Sequence, residues 1–427
     1  MSETISKRAM GDLLAVGFGT NTAIWALVYI GLTIGGAVGI PLVVLMLLTL
    51  FAGGWVLGRF TNRGPMGGVW VGLINGTLNL LILSSLLGGD KPNEILVSML
   101  GWIAGYMVIS MILAALGVMV GGKRRSPACD CVNWTALFAA VAAITTGILI
   151  VAGGVVTSLE AGLAVPDWPN TFGYPMIFYP LSMMQEDGNV YAEHAHRLWG
   201  TLVGFTAIVL TIHVWIADSR KWLRWIVAGI LLAIVVQGIM GGLRVTATNT
   251  ALALIHGVFG QLVFVLLAGV AVCASATWIN ATEKHASRLA RGTRKMSLAL
   301  VIVLIIQLML GAGLRHYGHG LYPHMSFAFI PLFLGVLLGF RVRSSHTEFP
   351  VLPRNGLILL ILVKIQVLLG FAAWIATSHG QDTPPLADVI VSTIHQANGA
   401  AVLAFSFMLM LFAHRLLSSE VITDPDR

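Results

Sequence analysis

Long apolar runs separated by short polar breaks fill this chain almost from end to end. Read as helices, the runs predict twelve, over approximately 11–33, 40–60, 66–87, 95–121, 134–157, 192–216, 222–241, 250–278, 296–315, 321–341, 355–377 and 387–416. A bilayer crossing needs about 20 apolar residues, so the pattern predicts an all-α polytopic membrane protein. The polar segment 122–133 divides the chain. The helices before it hold no histidine and no acid at mid-membrane depth. We read 1–121 as a separate four-helix membrane module of unassigned role and 122–133 as a cytoplasmic linker. Residues 134–280 then form a first four-helix half of the core, and 281–427 a second.

Composition agrees. The chain has 427 residues, 57% hydrophobic and 10% charged, with a mean hydropathy of +0.87. Soluble domains carry about 25% charged residues, so most of this surface faces lipid or other apolar helices. No cleavable leader is expected, because the first ten residues are polar and the apolar run after them is long enough to span. The net charge of +7 reports topology rather than an acidic ligand, and no nucleic-acid partner is expected. Lys7/Arg8, Arg59/Arg63, Lys123 to Arg125, Arg220/Lys221/Arg224, the run Lys284 to Lys295, Arg341/Arg343/Arg354 and Arg415 all fall on one side. The alternate loops hold little beyond Lys91, Arg244 and Arg315. That bias places both termini in the cytoplasm. Cys129-Asp130-Cys131 is too isolated for a metal site and suits a reduced cytoplasmic loop.

The core repeats. Gly153 to Leu163 aligns with Gly311 to Leu321 at an offset of 158. His196 aligns with His324 at 128, Gln237 and Gly241 with Gln366 and Gly370 at 129, and His256 with His395 at 139. The offset falls because the second half lacks the long outer loop 158–190. Four helices per unit is an even number, so the halves are parallel repeats about an axis along the membrane normal.

The repeat singles out His196, His256, His324 and His395. Each lies within about ten residues of its helix's outer end, in the outer part of the bilayer at 1.5 Å per residue. Two opposed imidazoles are what an iron porphyrin requires axially, and bundle cores hold such cofactors. A lone intramembrane histidine is usually a hydrogen-bonded packing residue, but packing gives no reason to follow a repeat. Zinc or copper would also accept imidazoles, yet such sites usually add cysteine or carboxylate ligands, which these helices scarcely supply.

Glu193 is the acid placed inside the core helices, where an ionisable group is costly and marks function. It precedes His196 by three residues, on one helix face. There it is suited to accept a proton or to stabilise positive charge on a reacting carbon. An ion pair with Arg197 is the structural alternative. His194 points about 100° away and is secondary. Arg197, Arg244 and Arg315 lie near the outer surface, as propionate clamps or as snorkelling headgroup contacts. Gly153-Gly154, Gly241-Gly242, Gly311 and Gly370 suggest close helix packing before room for a flat ring. Lys364, in mid-helix, has no assigned role.

These residues carry a family resemblance. Residues 134–416 resemble heme A synthase, the membrane enzyme family that converts heme O to heme A for terminal oxidases. The most specific parts are Ala161-Gly162-Leu163-Ala164-Val165-Pro166-Asp167-Trp168-Pro169, Glu193-His194-Ala195-His196-Arg197, the run from Arg244 to Gly257, and Ser392 to Ala400. The resemblance implies Glu193 as catalytic residue and four heme-facing histidines. His324 and His395, with Arg315, would hold a resident heme B. His196 and His256, with Arg197 and Arg244, would receive the substrate heme. The implied reaction oxidises a ring methyl to a formyl group through successive hydroxylations, in the bacterial plasma (inner) membrane. Implied partners are heme O, an unidentified electron donor and heme O synthase. Many members carry a cysteine pair flanking the Asp167-Trp168-Pro169 segment. Val165 and Thr171 stand at about those places, so a disulfide-based redox role is not expected here. The second half's short outer loop leaves His316 and His319 as alternatives to His324. A diheme electron carrier without enzymatic activity, or a heme or metal transporter, would suit the same bundle.

Overall fold

A computed structural model describes residues 10–35, 39–89, 91–92, 94–127, 132–377 and 384–419. Cys129 and Cys131 lie outside the described residues. Among those residues, 12 helices are long and apolar enough to cross a membrane, as the hydropathy pattern predicts. They are α1 (Gly11–Gly35), α2 (Ile40–Phe60), α3 (Pro65–Leu83), α4 (Leu100–Gly122), α5 (Trp134–Ser158), α7 (Gly188–Ala217), α8 (Lys221–Thr246), α9 (Thr250–Ala274), α11 (Ala290–Tyr317), α12 (Leu321–Ser345), α13 (Val351–Thr377) and α14 (Leu386–Leu416). Two short helices, α6 (Leu181–Glu186) and α10 (Ala276–Asn280), lie between them. Among the described residues, sheet is confined to the antiparallel pair β1 (Asn170–Thr171) and β2 (Tyr174–Pro175) and the parallel pair β3 (His285–Ala286) and β4 (Leu417–Ser418).

Local chemistry sets the helix ends. Pro41 and Pro65 open α2 and α3, where a missing N–H costs nothing. The Asp187 carboxylate caps α7 by accepting from the Asn189 N–H at 2.8 Å. α7 therefore begins at Gly188, four residues before its apolar run. Asn249 caps α9 in the same way, accepting from Leu252 N–H at 2.9 Å. α9 stops at Ala274 because Ser275 is extended and its hydroxyl caps α10. The apolar run to 278 hid that break.

The chain divides into two compact units. The first comprises Met1–Ala152 and Glu160–Gly238; the second comprises Gly153–Leu159 and Ile239–Arg427. These divisions do not follow the polar segment 122–133, because α1 packs against α5 and α7 within the first unit. Phe18 meets Phe138 at 5.2 Å between ring centroids, and the Thr22 and Thr145 hydroxyls are 2.8 Å apart. α4 packs tightly against α2 and α3 through glycines. A Cβ on Gly54 or Gly58 would collide with the Ala114 or Val118 carbonyl oxygen, and one on Gly117 or Gly121 with that of Phe51 or Trp55. Small residues at four-residue spacing admit such backbone approach in membranes. In the second unit, Leu300, Leu338, Leu352, Leu359 and Leu409 are fully buried in a core shared by α11, α12, α13 and α14.

Candidate functional site

In the first unit, Glu193 lies on the second turn of α7 and is only 3% exposed. An isolated carboxylate so buried would be prohibitively costly. Here one oxygen accepts from Arg197 Nη2 at 2.8 Å and the other from the Val165 backbone N–H at 3.1 Å. Arg197 also ties down the loop 159–187. Its Nη2 donates to Val165 O at 2.8 Å, and its Nη1 to Asp167 O at 2.7 Å and Asn170 O at 3.1 Å. The two terminal nitrogens carry four hydrogens, which these four contacts use. The ion-pair alternative for Arg197 therefore describes it better than a propionate clamp.

The loop over Glu193 has its own anchors. The Asp167 carboxylate accepts from the N–H groups of Phe172 and Gly173, both at 2.8 Å. That turn closes the β1–β2 hairpin, with Phe172 and Gly173 at positive φ. Thr171 Oγ1 lies 3.1 Å from Nδ1 of His194, and both residues are fully buried. Tyr179 packs 5.2 Å from the His194 ring. Val165 and Thr171, the two positions expected to be without cysteine, are thus both fastened to α7 by hydrogen bonds. His194 is a fastening for the loop, a role that the sequence pattern did not reveal. His196 follows Glu193 by three residues and is half-buried.

In the second unit, a glycine on one helix faces a histidine on the next three times over. A Cβ on Gly241 would lie 3.0 Å from Cε1 of His256, on Gly311 2.9 Å from that of His324, and on Gly370 3.2 Å from that of His395. These glycines make room for imidazoles, a narrower purpose than helix packing or a flat ring. Glutamines add a second contact. Gln307 Nε2 lies 3.2 Å from Nδ1 and 3.5 Å from Nε2 of His324, and donates to His324 O at 3.0 Å. Gln366 Nε2 lies 3.3 Å from Nδ1 and 3.5 Å from Nε2 of His395. Asn398 holds Gln366 by donating to its Oε1 at 2.6 Å. Each glutamine Nε2 lies slightly nearer Nδ1 than Nε2 of its histidine. Gln307 escaped the sequence reading, although Gln307-x-x-x-Gly311 repeats the spacing of Gln237-x-x-x-Gly241 and Gln366-x-x-x-Gly370.

His324 and His395 pair with each other, their ring centroids 6.4 Å apart and their planes at 79°. Two imidazoles on one iron, with metal–nitrogen bonds of about 2 Å, have centroids about 6 Å apart. The donor set and its spacing therefore fit axial ligation of a porphyrin iron. His316 lies 4.0 Å from the position of a Cβ on Gly257. His319 is exposed, its ring 6.0 Å from that of Tyr317. The histidine facing His395 is His324. Arg315 donates to the Thr157 carbonyl oxygen. Arg244 is half-buried in the last turn of α8. Asp388 joins Glu193 as an acid within a core helix, but in the first turn of α14, where the helix dipole favours it. Lys364 stands exposed in the middle of α13.

The fold and these sites define a polytopic helical membrane protein with glycine-backed intramembrane histidines. Residues 136–325 match the family model COX15-CtaA, described as a cytochrome oxidase assembly protein. The match agrees with the resemblance carried by the motifs of this stretch. The matched region includes Glu193, His196, His256 and His324 and ends before His395. A search of curated proteins gives no match.

Proposed function

We propose that this protein is a heme A synthase-type oxidoreductase, which oxidises a ring methyl of heme O to a formyl group in cytochrome oxidase assembly. The observation that carries the reading is Glu193, buried beneath a fastened loop one helical turn from His196, inside the matched region. In this reading His196 and His256 receive the substrate, and Arg244 meets its propionates. Glu193 accepts a proton or offsets positive charge at the reacting carbon, while Arg197 holds that carboxylate in place and the loop keeps water away from it. His324 and His395 hold heme B, which would supply one-electron redox chemistry when bound.

If the formyl oxygen comes from water, four electrons and four protons leave the substrate for an acceptor. If it comes from dioxygen by two successive hydroxylations, each consumes two electrons and two protons from the donor and releases one water, and the doubly hydroxylated carbon then loses water to give the formyl group. The protein resides in a bacterial inner membrane with both termini cytoplasmic, which puts the histidines on the outer side. Co-expression with a source of heme O, followed by heme extraction and chromatography, tests the reading. Heme A is expected. A preparation that retains heme B and never forms heme A under turnover conditions would favour an electron carrier instead.

A further inference from the structure

We propose that the N-terminal four-helix bundle α1–α4 is a positioning brace that holds the Glu193 helix and its covering loop together. The proposal rests on the reading above that Glu193 stands at the reacting centre.

α1 runs antiparallel to α7 and touches it near both ends and in the middle. The ring centroids of Tyr29 and Tyr191 are 6.1 Å apart, nearly parallel, and Tyr191 Oη donates to Tyr29 O at 3.2 Å. Trp25 meets Trp199 edge to face at 5.4 Å. Gly11 lies against His213, where a Cβ would come within 3.1 Å of the ring. At 100° per residue, Tyr191 and Trp199 lie about 160° and 120° around α7 from Glu193, to either side of its opposite face. α1 therefore backs the helix on the side away from the carboxylate.

The second hold is on the loop. Residues 88 and 95 form a bridge between α3 and α4, and this connection abuts the loop that covers Glu193. A Cβ on Gly88 would collide with the Phe178 carbonyl oxygen and lie 3.2 Å from Pro180 Cγ. Pro92 lies 3.9 Å from the position of a Cβ on Gly173, in the hairpin turn. One bundle thus contacts α7 from behind and the loop from outside, with Glu193 between them.

The bundle is stiffened where it bears on α7. Trp25 Nε1 donates to Asn79 Oδ1 at 2.8 Å. Asn79 donates in turn to Asn75 Oδ1 at 3.0 Å and to the Tyr106 hydroxyl at 2.6 Å, and Tyr106 donates to Asn75 at 2.8 Å. Asn75 and Asn79 are buried. A buried amide network joining α1, α3 and α4 fixes the Trp25 ring far more firmly than apolar contact would. A bundle that served only as a membrane anchor would need neither this network nor contacts on both sides of one carboxylate.

The test uses the full chain, with Trp25→Leu, Trp25→Phe and Gly88→Val, and two readouts. Hydrogen exchange of the 165–175 amides reports the loop directly, and heme A formed per heme B-loaded protein reports turnover. We expect Trp25→Leu and Gly88→Val to raise exchange there roughly tenfold. Turnover should fall at least about fivefold, in kcat rather than KM, from misplacement alone. Trp25→Phe keeps the edge-to-face contact but loses the bond to Asn79 Oδ1, so both readouts should fall between those of wild type and Trp25→Leu. Exchange and turnover within about twofold of wild type in both disruptive variants would overturn the proposal, and so would lower expression with unchanged turnover per loaded molecule. If wild type forms no heme A, the enzymatic reading fails, and the exchange measurement still decides the brace.

Discussion

The rings of His324 and His395 lie 6.4 Å apart between centroids with their planes at 79°, and each rests against a glycine of the preceding helix. Removing either imbalances the pair. His395→Ala and His324→Ala are each expected to lose most bound heme B while the helices stay folded, read by extracted heme per protein and by the visible spectrum. Equal heme content in wild type and His395→Ala would sink the ligand assignment.

The glycines make a sharper prediction, because sequence propensity and site geometry oppose each other. Alanine in place of a mid-helix glycine ordinarily adds about 1 kcal/mol of helix stability. At Gly311 the new Cβ would lie 2.9 Å from His324 Cε1, and at Gly370 3.2 Å from His395 Cε1. Gly311→Ala and Gly370→Ala should therefore push the rings aside and weaken heme binding roughly tenfold, with thermal stability of the apoprotein unchanged or raised. Heme titration alongside thermal melting separates the two effects. Undiminished heme affinity in both variants would show that the glycines serve only helix packing.

Glu193 and Arg197 should respond differently to substitution. Glu193→Gln keeps the size and most hydrogen bonds but removes the charge, so heme B should be retained and heme A formation lost. Arg197→Met leaves the buried carboxylate without its cation and frees three loop carbonyls, at a cost of about 3 kcal/mol. Limited proteolysis within 165–175 should then accelerate. Arg197→Lys should rescue little, since a single ammonium cannot reproduce the fork. Full protection in Arg197→Met would refute the fastening role.

One pH effect is expected outside the membrane spans. His346, at the end of α12, is fully buried, with Nε2 3.0 Å from Thr293 Oγ1 and Nδ1 3.5 Å from Glu348. Burial depresses its pKa below the usual 6.5, against the pull of Glu348 and with help from Arg341 and His285. A depressed folded value means that the unfolded chain takes up the proton first as pH falls. The neutral ring's contribution is thus complete above 6.5 and is lost as pH drops from there toward the folded value. Melting temperature should decline over that window in wild type and less steeply in His346→Gln. Parallel pH profiles would dismiss this role.

The sequence showed some of this plainly. Twelve apolar runs gave the spans, since membrane helices announce themselves by length and hydropathy. The repeat singled out four histidines, because they stand at matched offsets in its two halves. It missed what depends on contacts between distant residues. Nothing periodic connects Thr171 to His194, or Val165 to Glu193, across 23 and 28 positions. The start of α7 was misplaced because a carboxylate cap extends the helix through Asn189, outside the apolar run. Gln307 was legible in principle, since its spacing to Gly311 copies two others.

The contact of α1 with α7 also bears on the order of synthesis. A chain leaves the ribosome N-terminus first, and units fold as they emerge. Because α2, α3 and α4 close on one another through glycines, the bundle can assemble before Glu193 has been translated. α7 then enters the membrane beside a finished surface presenting Trp25 and Tyr29. Its polar turn, with Glu193 and Arg197, is thereby given an orientation before the rest of the core exists, so the first four helices act as a template during insertion.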